Sequence, residues 1–144
     1  MKKVGIVLML ALFVTACNKN QKAVNKLEGT WNATHFITTD LADGETTDII
    51  ASGYLNLEYT FEDCKLKKEE GCLLHAKNIV NPGGPSVTEI EYTYTISEDG
   101  TKMTWTRPSY SEEWNIESLS SKNFIISRDT PSGEDHVEIR WEKE

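Results

Sequence analysis

The amino-acid sequence predicts an all-β domain: an eight-stranded antiparallel up-and-down meander closing into a small barrel, with a β-sandwich as the alternative. Three observations predict it. After Leu27, apolar residues recur with period two; Gly, Pro and Asn/Asp clusters interrupt them at short intervals; and almost no stretch has helical periodicity. Strand composition spans residues 30–38, 52–63, 72–80, 87–97, 101–107, 112–118, 123–128 and 136–142.

The chain opens on a leader, residues 1–16. Lys2 and Lys3 form a positive n-region, and residues 4–14 are an uncharged apolar run, shorter than the ~20 residues a bilayer-spanning helix needs. The run ends in Val14-Thr15-Ala16-Cys17. That ending resembles the lipobox of bacterial lipoproteins, a branched apolar residue and two small ones before an invariant cysteine. The resemblance implies cleavage before Cys17, a diacylglyceryl thioether on its sulfur and an acylated amine (palmitate), hence membrane attachment. Several chains at about 0.8 kcal/mol per buried methylene hold stably where one would not. In such lipoproteins an aspartate after the cysteine signals retention at the inner membrane. Asn18 stands there instead, which implies the outer membrane, on its periplasmic face.

Residues 17–26 read as a lipid-anchored flexible tether with a reach of about 15–18 Å. Residues 27–144 are long enough for one domain with a core. Five of the 15 Lys+Arg residues precede Leu27 and none of the 23 Asp+Glu residues does, so the domain carries a formal −13 within a chain of −8. This balance argues against a nucleic-acid partner, which needs a basic footprint. It also sets an acidic domain on a basic stalk beside an anionic lipid surface.

Within the domain, Leu55, Leu57, Tyr59 and Phe61 alternate with polar residues, as do Ile90, Tyr92, Tyr94 and Ile96. Met103 and Trp105, Trp114 and Ile116, and Val137, Ile139 and Trp141 keep the same period. Each strand therefore has one apolar face. Asp99-Gly100 suits a hairpin turn, Pro131-Ser132-Gly133 a second, and Asn81-Pro82-Gly83-Gly84-Pro85 a ladder-breaking third. The polar connection over residues 40–48 is a candidate mobile loop at a barrel mouth.

With Cys17 carrying lipid, Cys64 and Cys72 are expected to pair in an oxidising compartment. A hairpin centred on Lys68 brings them opposite one another. Their spacing is not the Cys-x-x-Cys of a redox pair, so the bond is read as a structural staple.

Gly29-Thr30-Trp31 opens the first strand. It resembles the glycine-x-tryptophan motif of lipocalins, and the whole chain resembles short bacterial lipocalin-like lipoproteins. In that family the tryptophan plugs the closed end and a basic residue near the end of the last strand packs across it. The resemblance gives Trp31 the first role and Arg140 the second, although alternation sets Arg140 opposite in sense to Trp141. Unlike full lipocalins, the chain lacks a Thr-Asp-x-x-Tyr motif.

No nucleophile elbow, paired-histidine string, zinc-type cysteine pattern or phosphate-cradling loop is present in the sequence. The expectation is therefore a non-enzyme without metal or cofactor. Binding remains. The residues expected to face a ligand are His35, Tyr59, His75, Lys77, Tyr92, Tyr94 and Trp105. The first functional expectation is a membrane-anchored barrel holding a small apolar or amphipathic molecule in its lumen. The alternative is a filled barrel whose acidic surface engages a cell-envelope protein.

Overall fold

A computed structural model describes residues 19–66, 71–81 and 83–144. The leader and Cys17 lie outside the described residues, and so does Lys68, the expected hairpin centre. In chain order come α1 (Lys19–Leu27), β1 (Gly29–Asp40), β2 (Thr46–Asp48), β3 (Leu55–Phe61), β4 (Cys72–Val80), β5 (Ser86–Ile96), β6 (Lys102–Arg107), β7 (Tyr110–Leu119), β8 (Asn123–Asp129) and β9 (Asp135–Lys143).

All pairings are antiparallel. From β3 to β9 each strand pairs with its sequence neighbours, and β1 joins the two ends of this meander. Its residues 29–32 pair with β3, and residues 31–40 pair with β9. The eight strands β1 and β3–β9 thus form a closed barrel, and the predicted meander is the one observed. The three-residue β2 is an addition, lying against residues 37–39 of β1. It occupies the end of the connection expected to be a loop.

Alternation becomes inside and outside. Trp31, Leu57, Tyr59, Phe61, Leu74, Tyr92, Tyr94, Met103, Trp105, Trp114, Phe124, Ile126, Ile139 and Trp141 form one buried core. In β1 the period breaks once. Ala33 pairs with Trp141 and His35 with Arg140, so Thr34 is the extra residue of a bulge. Beyond it Phe36, rather than His35, packs on the core.

The principal correction concerns the tether. Residues 19–27 form a helix whose Ala23, Val24 and Leu27 are buried against the barrel end. Nine residues with three lysines make a marginal helix in isolation. Docking supplies what propensity does not. Gln21 reaches from α1 into the disulfide loop, its Nε2 donating to the Cys64 carbonyl (3.0 Å) and its Oε1 accepting from the Leu66 amide (3.0 Å). The chain leaves α1 through Gly29 at φ +117°, where a Cβ would also stand 3.0 Å from Cε of Lys143. The positive φ is what calls for glycine there.

Trp31 fills the capped end and is fully buried. Its Nε1 donates to the Leu27 carbonyl at 2.6 Å, and its ring meets Phe124 edge-on at 5.8 Å. The cation across it is Lys143, not Arg140. Lys143 Nζ lies 5.1 Å from the Trp31 ring centre and donates to the Lys26 carbonyl at 3.0 Å. Arg140 is exposed and pairs with Glu138 on the outer face. The reason is period: Val137, Ile139 and Trp141 point inward, and the next inward position is 143.

Cys64 and Cys72 form the expected disulfide, with Cα atoms 5.6 Å apart and both residues buried. It ties the start of β4 to the loop under α1.

Candidate functional site

The barrel has two unlike halves. Toward α1 it is solid: Trp31, Phe61, Leu74, Tyr94, Met103 and Phe124 are essentially inaccessible, and Phe61 makes edge-on contacts with Tyr94 (5.1 Å) and Phe124 (6.3 Å). Toward the other end the lumen holds a cavity of about 370 Å³, within the range of small-molecule sites. The barrel interior is therefore filled at the α1 end and open at the other.

The cavity floor is aromatic. Tyr59 packs on Trp105 (5.6 Å) and on Trp141 (4.6 Å), and Trp105 packs on Trp114 (5.3 Å). Phe36, Leu55, Leu57, Val80, Val137 and Ile139 form apolar walls. Asn78, Thr88, Tyr110, Glu112 and Arg128 are the other lining residues.

The polar members form a connected patch on β6–β8. Arg128 stacks over the Trp114 ring at 4.5 Å, and its Nη1 pairs with Glu112 Oε2 at 2.6 Å. The Tyr110 hydroxyl donates to the same oxygen at 2.7 Å. Arg107, next on the inward period after Met103 and Trp105, lies over the rings of Tyr110 (4.9 Å) and Tyr92 (5.7 Å). Burial pushes the phenols of Tyr59, Tyr92 and Tyr110 above their ordinary value, and the Glu112 carboxylate holds Tyr110 higher still. All three remain protonated at neutral pH. Asn78 Oδ1, Trp114 Nε1 and Arg128 Nε are buried without a hydrogen-bond partner among the described residues.

Of the residues expected to face a ligand, Tyr59 and Trp105 line the cavity, and Tyr92 and Tyr94 are buried on the inward face. His75 and Lys77 do not face it. They lie on the outer face of β4, where His75 bonds Glu62 (2.7 Å) and Lys77 sits 3.5 Å from Glu58. β4 is apolar on both faces, and Leu74 and Ala76, opposite Tyr92 and Tyr59, take the inner one. His35 also points outward, displaced by the bulge onto Asp48 (2.5 Å). The residues missed were Asn78, Arg107, Glu112 and Arg128. Each carries an apolar inward period (Leu74 and Ala76; Met103 and Trp105; Trp114 and Ile116; Phe124 and Ile126) one polar step toward the mouth.

Asp48 fastens the mouth. Its Oδ1 accepts from the amides of Phe36 (3.2 Å), Ile50 (3.1 Å) and Ala51 (3.1 Å), while Oδ2 faces His35 Nδ1. Desolvation pushes this carboxyl upward, but the bonds from His35, Ala51 and Phe36 outweigh it and hold the pKa below 3.8. A lowered carboxyl stabilises the fold fully above its unfolded value and loses that contribution as pH falls through the folded one. Asp48→Ala is accordingly expected to speed amide exchange at residues 49–51 at neutral pH. Acidification below about pH 3.8 should do the same to the parent protein and nothing further to the variant. Exchange at residues 49–51 that is indifferent to the substitution would show that the loop is held by other means.

No protein-family model matches the chain, and no curated protein matches it. Solved structures similar to it include two β barrels. A redesigned β barrel aligns with TM-score 0.48 and 16% identity over 85% of this chain and 95% of that one. A de novo designed fluorescence-activating β barrel aligns with TM-score 0.51 and 10% identity over 85% of this chain and 97% of that one. By the second alignment the chain is similar in fold to a designed β barrel.

Proposed function

We propose that this chain is a membrane-anchored lipocalin-like lipoprotein of the outer membrane, facing the periplasm, that holds a small apolar or amphipathic molecule in its barrel. The observation that carries the binding half is the lumenal cavity of about 370 Å³, aromatic beneath and apolar around. The exposed large hydrophobics Leu41, Tyr54, Val87 and Tyr110 all stand at the mouth end, and Tyr110 also lines the cavity. The anchoring half is supported by the lipobox-like residues ending at Cys17. We further read the protein as a carrier or sensor and not an enzyme, since the cavity-lining Glu112 and Arg128 are engaged with each other instead of converging on an open reacting position.

The test of binding is titration of the full chain with N-phenyl-1-naphthylamine, a neutral apolar fluorophore, followed by its own emission and by tryptophan quenching. Saturable one-to-one binding is expected, and Thr88→Trp, which fills the mouth side of the cavity, should weaken it at least tenfold. Non-saturating uptake, or uptake unchanged by the filled lumen, refutes the lumen as the site. For the anchor, mass spectrometry of the mature protein should find a diacylated, N-acylated Cys17 at the amino terminus; an unmodified Cys17 there overturns it.

A further inference from the structure

We infer that the lumen selects an uncharged, ring-bearing guest, and that Glu112 determines this specificity by closing off the positive charge of Arg128. This rests on the lumen being a binding site and adds which molecules that site takes and refuses.

Among the described residues that line the cavity, only Glu112 and Arg128 carry charge. They cancel. Nη1 of Arg128 meets Oε2 of Glu112 at 2.6 Å, and the Tyr110 hydroxyl donates to that same oxygen at 2.7 Å. The Glu112 side chain is 9% exposed and that of Arg128 26%, so each charge depends on the other more than on water. An ionic guest would shed its hydration on entering and meet no free counter-charge among the described lining residues, a cost that burial alone does not offset.

Each sign meets a further obstacle. An anion has to pass Asp40, Asp43 and Glu45, where β1 turns into β2, and Glu134 and Asp135, where β8 turns into β9; all stand at the mouth end. A cation is drawn to that rim, but two of the ring faces that could hold it already carry a guanidinium. Arg128 lies 4.5 Å over Trp114, and Arg107 lies 4.9 Å over Tyr110. A second positive charge is repelled there.

The floor favours a flat body. Tyr59 packs on Trp105 at 5.6 Å and on Trp141 at 4.6 Å, and Trp105 packs on Trp114 at 5.3 Å, so each ring is braced by another. A ring laid on this surface gains offset or edge-on contacts and has few rotors to freeze, whereas an alkyl chain of equal carbon count has many. A cavity of about 370 Å³ has room for a fused two-ring body.

Four probes, each displacing N-phenyl-1-naphthylamine from the full chain, provide the test: naphthylmethanol, naphthoate, naphthylmethylammonium and undecanol. The first three share a ring system and differ in charge, and undecanol matches naphthylmethanol in carbon count. Naphthylmethanol is expected to compete about tenfold or more better than either ion, and about threefold or more better than undecanol. Glu112→Gln keeps an acceptor for the Tyr110 hydroxyl but leaves Arg128 unpaired, and should cut the preference for naphthylmethanol over naphthoate to about threefold or less. Glu112→Gln combined with Arg128→Gln makes the wall neutral again and should restore that preference, which separates charge from loosened packing. Retained affinity for the fluorophore shows that the variants are folded. Either ion competing as well as naphthylmethanol overturns the selection for an uncharged guest, and undecanol competing as well overturns the selection for a ring. A preference untouched by Glu112→Gln overturns the role of Glu112. If the fluorophore itself never binds the parent protein, the lumen reading fails instead, and the two failures are distinct.

Discussion

Trp31→Ala is expected to lower the unfolding free energy by about 3–5 kcal/mol, the range for removing a buried tryptophan. The estimate follows from its surroundings. Trp31 is fully buried, lies between Phe124 and the Lys143 ammonium, and gives the Leu27 carbonyl its hydrogen bond. Domains of this kind are stable by only about 5–15 kcal/mol, so this one side chain accounts for a large share. Trp31→Phe separates the contributions. It keeps an aromatic body against Phe124 but leaves the Leu27 carbonyl without a donor, a loss of about 1–3 kcal/mol. Urea denaturation, read as a fall in midpoint at constant slope, measures both. Equal losses for the two variants would mean that the indole N–H, not the volume, sustains the plug.

The second large effect belongs to Cys64–Cys72. The bond closes a short loop, and restriction of the unfolded chain predicts about 2–3 kcal/mol of stabilisation. Cys64→Ala with Cys72→Ala should remove that amount and also loosen α1, because Gln21 is bonded to the Cys64 carbonyl and the Leu66 amide. Amide exchange at Ala23 and Val24 should therefore accelerate more than exchange at Ile126 and Ile139 in the barrel wall. A uniform rise across helix and barrel would show that the staple acts on the whole domain and has no particular hold on the cap.

Much of this fold was legible because a barrel strand advertises itself with period two. All eight predicted strands appear, displaced by a few residues at their ends. Positions 52–54, assigned to a strand, instead form a turn whose Gly53 carbonyl accepts from Asn81. The helix was not legible, since residues 19–27 show only Ala23, Val24 and Leu27 as apolar, and their partner surface exists only once the barrel has closed. Exchanging Arg140 for Lys143 followed from giving motif position more weight than alternation. His75 and Lys77 were misassigned because Leu73 and Ile79 make the outer face of β4 look like a core face. His35 was misplaced by a bulge at Thr34, and nothing in a single sequence marks an extra residue of that kind. The polar lumen groups left the clearest signal in retrospect: an Asn, Glu or Arg standing where an apolar period calls for one more hydrophobe.

Under the proposed acylation of Cys17, the helical cap would decide which way the molecule faces. Only Asn18 separates Cys17 from Lys19, where α1 begins, and two residues span at most about 7 Å. Were Cys17 acylated as proposed, the plugged floor would rest close to the lipid headgroups. Strands rising about 3.3 Å per residue at a barrel's tilt then lift the opposite rim roughly 25 Å clear of them. A passenger would thus board and leave on the watery side, handed over by a soluble donor instead of sliding in from the bilayer.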